Sequence, residues 1–229
     1  MEEEKQITVK TADGERLLTE AETKRYRMLC KKQEELESKG YVRKDRIISV
    51  MKANTVGLLA VSPFAVAIVV IYLVVNGVNF TGSKVADKYG SYDVVWFFGT
   101  FVVMFACFFV HELIHGLFWS LGAENGFKDI ELGFIAKLLT PYCTCKTPLK
   151  KHYYIIGSIM PMTILGIGAG VLAIVFGNPF FLMFSLMHVM GGAGDILITG
   201  MILKEKVNGK DVLIYDHPFD CGYIVFEKE

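Results

Sequence analysis

The sequence predicts an all-α polytopic membrane protein with about four transmembrane helices, a short cytoplasmic β-hairpin after the second span and a small β-hairpin tail. Three observations carry that expectation. Asp, Glu, Lys and Arg are absent from Ala53 to Ser83, from Val94 to Val110 and from Tyr153 to Gly194. Hydrophobic residues make up 52% of the 229 positions and the mean hydropathy is +0.40, more apolar than an ordinary soluble domain. The basic residues gather beside the apolar blocks rather than on one charged domain.

Residues 1–52 read as a soluble cytoplasmic lead. Thr19 and Glu22 have capping-box spacing, Glu20 to Ser38 are mostly good helix formers, and Gly40 stands where a helix stops. One helix is expected there. Some fifty charge-rich residues precede the first apolar block, so the first span is expected to be an uncleaved anchor.

The membrane core, 53–204, divides into spans at roughly 54–77, 93–121, 154–176 and 179–203, each long enough for a hydrocarbon layer of about 30 Å. Gly177, Asn178 and Pro179 punctuate the longest block as a turn between two spans. The loop 122–152 contains the alternating run Asp129 to Phe134, and Pro141 and Pro148 bracket a second run; together they read as a surface hairpin. In the tail, 205–229, Val212 to Tyr215 and Tyr223 to Phe226 flank a turn around Asp216, His217, Pro218 and Gly222.

Counting cations near the span ends orients the chain. Lys39, Arg43, Lys44, Arg46 and Lys52 precede the first span; Lys128, Lys137, Lys146, Lys150 and Lys151 lie between the second and third; Lys204, Lys206 and Lys210 follow the fourth. The opposite side has only Lys84 and Lys88. Both termini and the loop 122–152 are therefore expected in the cytoplasm of a multi-pass cell-membrane protein. A net charge of zero offers no electrostatic argument for a nucleic-acid partner, and five scattered cysteines argue against a disulfide framework.

Within the second span stands His111-Glu112-Leu113-Ile114-His115. Residues four apart share a helix face, so both imidazoles can reach one Zn²⁺ while Glu112 projects beside it as a general base. Three ionisable groups in one turn of a membrane helix are costly and mark function. Two histidines under-coordinate zinc, which calls for a third protein ligand. Asp195, after Gly191-Gly192-Ala193-Gly194, is the only other acidic residue inside a span. His111 lies about 27 Å along its span and Asp195 about 26 Å along a parallel one, so the two share a depth near the cytoplasmic side.

His188 lies two helical turns before Asp195 on the same face and competes with it as third ligand, or serves behind the ligands or toward substrate. His152 reads as interfacial and His217 as structural. The one-residue spacing of Cys143 and Cys145 does not suit a zinc knuckle, and Cys107 is an ordinary thiol in lipid. Gly166 and Gly170 have the small-residue spacing that packs membrane helices.

This constellation resembles the site-2 protease class of intramembrane zinc metallopeptidases, and more closely a bacterial family of zincin membrane peptidases of unassigned function. The likeness runs from about Val50 to the tail through His111 to Gly116, Tyr142 to Pro161, Gly191 to Ile196 and Asp216-His217-Pro218. In the site-2 class Gly usually follows the ligand Asp, whereas here Ile196 follows and Gly194 precedes. The resemblance implies zinc on His111, His115 and Asp195, catalysis by Glu112, and a hairpin at 126–147 that holds an extended substrate by strand addition.

The expected function is hydrolysis of peptide bonds in membrane-associated proteins or peptides near the cytoplasmic face, with Zn²⁺ as cofactor and the bilayer as environment. The first alternative is a non-catalytic zinc-binding scaffold, for which zinc uptake without turnover would speak. The second is a transporter, against which the charge-free first and third spans count.

Overall fold

The computed structural model describes residues 7–77, 93–135, 140–206 and 211–228. Strands β1 (Thr8–Thr11) and β2 (Gly14–Leu17) form a hairpin, followed by helix α1 (Glu20–Ser38) and strand β3 (Val42–Ile47). Helices α2 (Val50–Asn76) and α3 (Asp93–Ser120) are long and apolar. A 3₁₀ turn then leads into the hairpin β4 (Ile130–Ile135) and β5 (Thr140–Cys145), and on to the short strand β6 (Leu149–Lys150).

The next rod is continuous but changes pitch: helix α4 (Lys151–Pro161), a π-helical stretch (Met162–Gly168) and helix α5 (Ala169–Phe176). Helices α6 (Pro179–Gly191) and α7 (Ala193–Lys204) follow, and strands β7 (Asp211–Asp216) and β8 (Gly222–Lys228) close the chain. Three helical rods are long and apolar enough to cross a membrane, and α6 with α7, bent by 45° at Gly192, makes a fourth if the pair is one span. Lys84, Lys88, Lys137 and Lys210, used above to orient the chain, lie outside the described residues.

The all-α expectation is overturned: the described residues contain eight strands in three sheets. The largest has the order β3-β8-β7-β6 and joins the lead to the tail, with Val42 opposite Glu227 and Ile47 opposite Gly222. The sequence Val42-Arg43-Lys44-Asp45-Arg46-Ile47 has no apolar alternation, because its charges pair along and across the strand edge. Arg43 holds Asp45 at 2.7 Å, Arg46 holds Glu205 at 2.5 Å, and Lys44 pairs with Glu227. A strand stabilised by a partner 180 residues away leaves no local signature.

Period-two alternation makes this sheet the middle of three layers. Val212, Ile214, Tyr223 and Val225 face the helical core, where they pack with Trp119, Tyr154 and Ile202. Tyr215, Ile224 and Phe226 face the other way onto Leu29 and Leu36 of α1, with Leu213 at the edge. Helix α1 starts on a formed capping box, Thr19 with Glu22. In the core, α2 crosses α7 at Gly57, where a Cβ would come within 2.7 Å of the Ala193 carbonyl oxygen. Ser185 of α6 donates to the Gly166 carbonyl at 2.7 Å, pairing an oxygen within the π-helical stretch.

Candidate metal centre

Two helices supply the centre. Helix α3 carries His111 and His115 one turn apart, 5% and 3% exposed. Asp195 sits in the first turn of α7, just past the bend at Gly192, where the helix dipole favours a carboxylate. The structure brings these three together and keeps His188 out of the group: one donor atom from each of His111, His115 and Asp195 lies within 4.8 Å of the others.

The Asp195 Oδ2 atom lies 3.3 Å from His111 Nε2 and 3.5 Å from His115 Nε2. A tetrahedral zinc with bonds of 2.0–2.1 Å has donor-to-donor edges of about 3.3–3.4 Å. The donor set therefore fits zinc in chemistry, and its two edges to Asp195 fit in length. Nδ1 of His115 donates to the Gly157 carbonyl at 2.9 Å, which leaves Nε2 as the lone-pair nitrogen facing Asp195. Trp119 stacks on His115 at 5.0 Å and donates its indole N–H to the Tyr154 carbonyl.

Glu112 projects beside the two histidines, and its carboxylate faces the backbone N–H of Cys143 on β5. Sequence reading had no means to find that contact, since a backbone donor depends on no residue type. Asp216, on the core-facing side of β7, is the other unforeseen member. It accepts from the Tyr154 hydroxyl at 2.5 Å, from Thr144 at 2.9 Å and from the Cys145 N–H at 3.3 Å, joining tail, hairpin and α4. Burial pushes its carboxyl above the ordinary value against those three donors. The Asp216-His217-Pro218 turn, read in the sequence as the turn of the tail hairpin and as part of a resemblance, was the available signal.

A cavity of about 280 Å³ opens beside Asp195 and is lined by Tyr142, Thr144, Tyr154, Ser158 and Asp216 among others. It lies between Asp195 and the sheet layer. Burial pushes the Cys143 and Cys145 thiols upward, Cys145 to about 11, so both remain neutral thiols. Neither belongs to the metal group. His217 accepts the Asp220 N–H at 3.0 Å, and His152 packs on Tyr153.

With the ligand geometry described, comparison with known proteins adds a family likeness over part of the chain. Residues 104–208 match the family model described as "putative zincin peptidase". Neither a curated protein nor a solved structure matches the chain. The match bears out the zincin resemblance over the stretch that holds the second half of α3, the hairpin and Asp195, and it points to a peptidase with zinc as its metal.

Proposed function

We propose that this chain is an intramembrane zinc metallopeptidase that cuts membrane-associated proteins or peptides near the cytoplasmic face, with both termini in the cytoplasm. The observation that carries the reading is the gathering of His111, His115 and Asp195, with both histidine-to-aspartate edges at the length of a zinc tetrahedron and Glu112 beside them. His111, His115 and Asp195 hold the metal; when bound, zinc supplies a Lewis acid that polarises the scissile carbonyl and acidifies water.

The remaining roles fall to the protein's own groups. Glu112 takes a proton from the attacking water and returns it to the departing amine. The Cys143 N–H steadies the Glu112 carboxylate, so the hairpin that carries Cys143 is coupled to the catalytic base. The other edge of that hairpin, β4, has no strand partner among the described residues, which suits an extended substrate added as a further strand. The Gly157 carbonyl keeps the His115 ring in one tautomer.

The test compares membrane proteomes of cells carrying the wild-type chain and Glu112→Gln, with zinc content measured on both purified proteins. Expected is equal zinc and the disappearance of specific fragments in the variant, because the amide keeps the shape and cannot accept the proton. Identical fragment patterns with zinc retained would leave the non-catalytic scaffold as the better reading.

A further inference from the structure

His188 is fully buried on α6, enclosed by Phe184 at 4.5 Å, Phe108 at 5.5 Å and the ring of His111 at 5.8 Å, nearly parallel at 15°. Neither of its ring nitrogens has a hydrogen-bond partner among the described residues, and Nδ1 of His111 has none either. An imidazole carries one N–H and one lone pair when neutral, and leaving both unpaired away from water incurs the full desolvation penalty. A phenylalanine or leucine would fill this apolar pocket without that penalty.

The two metal-facing histidines differ in one respect. A metal-ligating imidazole almost always gives its second N–H to an acceptor that fixes tautomer and ring angle. His115 has the Gly157 carbonyl. For His111, whose Nε2 faces Asp195, the nearest unpaired acceptor-capable ring is His188. The ring centroids stand 5.8 Å apart with no direct bond between the rings, and one water, whose two hydrogen bonds of about 2.8 Å at a tetrahedral angle span about 4.6 Å between nitrogens, can bridge nitrogens set off from those centroids.

Resting on the metallopeptidase reading, we propose that His188 is a positioning residue for His111. The Nδ1–H of His111 donates to a buried water, and that water donates to a nitrogen of His188. The pair holds His111 in the tautomer that presents Nε2 to the metal. A buried polar residue in an aromatic cage is thereby explained by the ligand beside it.

The experiment uses the full chain purified in detergent, comparing wild type with His188→Phe, His188→Asn and His188→Gln. Zinc affinity is read by competition with a chelator, and the unfolding midpoint is read on the metal-free proteins. For His188→Phe the expected result is zinc affinity lower by about 10–100-fold, with a metal-free midpoint equal to or above wild type, because the ring suits Phe108 and Phe184. At least one of the two amides, each with an acceptor oxygen, should keep affinity near the wild-type value.

Unchanged zinc affinity in His188→Phe would overturn the proposal. So would a loss of metal-free stability that parallels the loss of zinc, or amide variants as weak as the phenylalanine variant. A wild-type chain that takes up no zinc would overturn the metallopeptidase reading, and this inference with it.

Discussion

The Gly157 carbonyl oxygen lies 2.9 Å from Nδ1 of His115, and Gly157 is also the one position in α4 where the Trp119 ring fits. A Cβ added to Gly157 would stand 2.1 Å from Trp119 Cδ1 and 2.3 Å from its Nε1, and this indole is the face on which His115 rests. Gly157→Ala should displace the indole, cost about 1–3 kcal/mol as an overpacked site, and weaken zinc binding by tilting His115. Adding Trp119→Leu to Gly157→Ala should restore much of the unfolding midpoint, since the clash is removed. A single variant as stable as wild type would show that the indole moves away freely.

The carboxylate is the part of the donor set with the least local support, because it projects from a helix that begins only at Ala193. Asp195→Ala should purify with little zinc where wild type carries about one per chain, since two imidazoles leave a tetrahedral site half filled. Metal analysis beside a fold check by helical content decides it. Full zinc occupancy in the variant would pass the ligand role to another group.

What could be read in advance followed the range over which a signal acts. The capping box of Thr19 and Glu22 and the pair His111 and His115 are contacts within one helical turn, so spacing alone reveals them. Asp195 is distant in sequence, and a depth argument found it only because membrane helices run across a layer of known thickness. The charged strand Val42–Ile47 lay beyond reach because its partner is the tail. The bend at Gly192 was equally hidden, since three glycines in a short run read as packing residues rather than as a break.

The lead offers a pH signature away from the metal. Burial raises the Glu22 carboxyl, but bonds from Arg16 at 2.6 and 2.8 Å and from the Thr19 backbone at 2.8 Å outweigh it and bring it down to about 2. A carboxyl depressed in the folded state contributes stability above its ordinary value, near 4.5, and loses it as pH falls toward 2. The difference in unfolding midpoint between wild type and Glu22→Gln should therefore be largest at neutral pH and shrink steadily below about pH 4.5. A constant difference across that range would mean that the capping geometry, not the charge, holds the segment.

Under the proposed function, the orientation expected from Lys and Arg sets which compartment would supply water and substrate to the cavity beside Asp195. The sheet of β3, β8, β7 and β6 covers that end of the core, with the free thiol Cys30 on α1 packed over it and the free thiol Cys221 in the turn between β7 and β8. The turn at Gly177 and Asn178, between α5 and α6, caps the opposite end of the core. An impermeant maleimide added to intact cells should label Asn178→Cys and spare Cys30 and Cys221, and permeabilised cells should label Cys30 as well. Cys221 is half-buried with its thiol pushed upward by burial, so Cys30 is the more responsive reporter. Labelling of Cys30 in intact cells, with Asn178→Cys protected, would invert the protein and put the metal centre near the outer face.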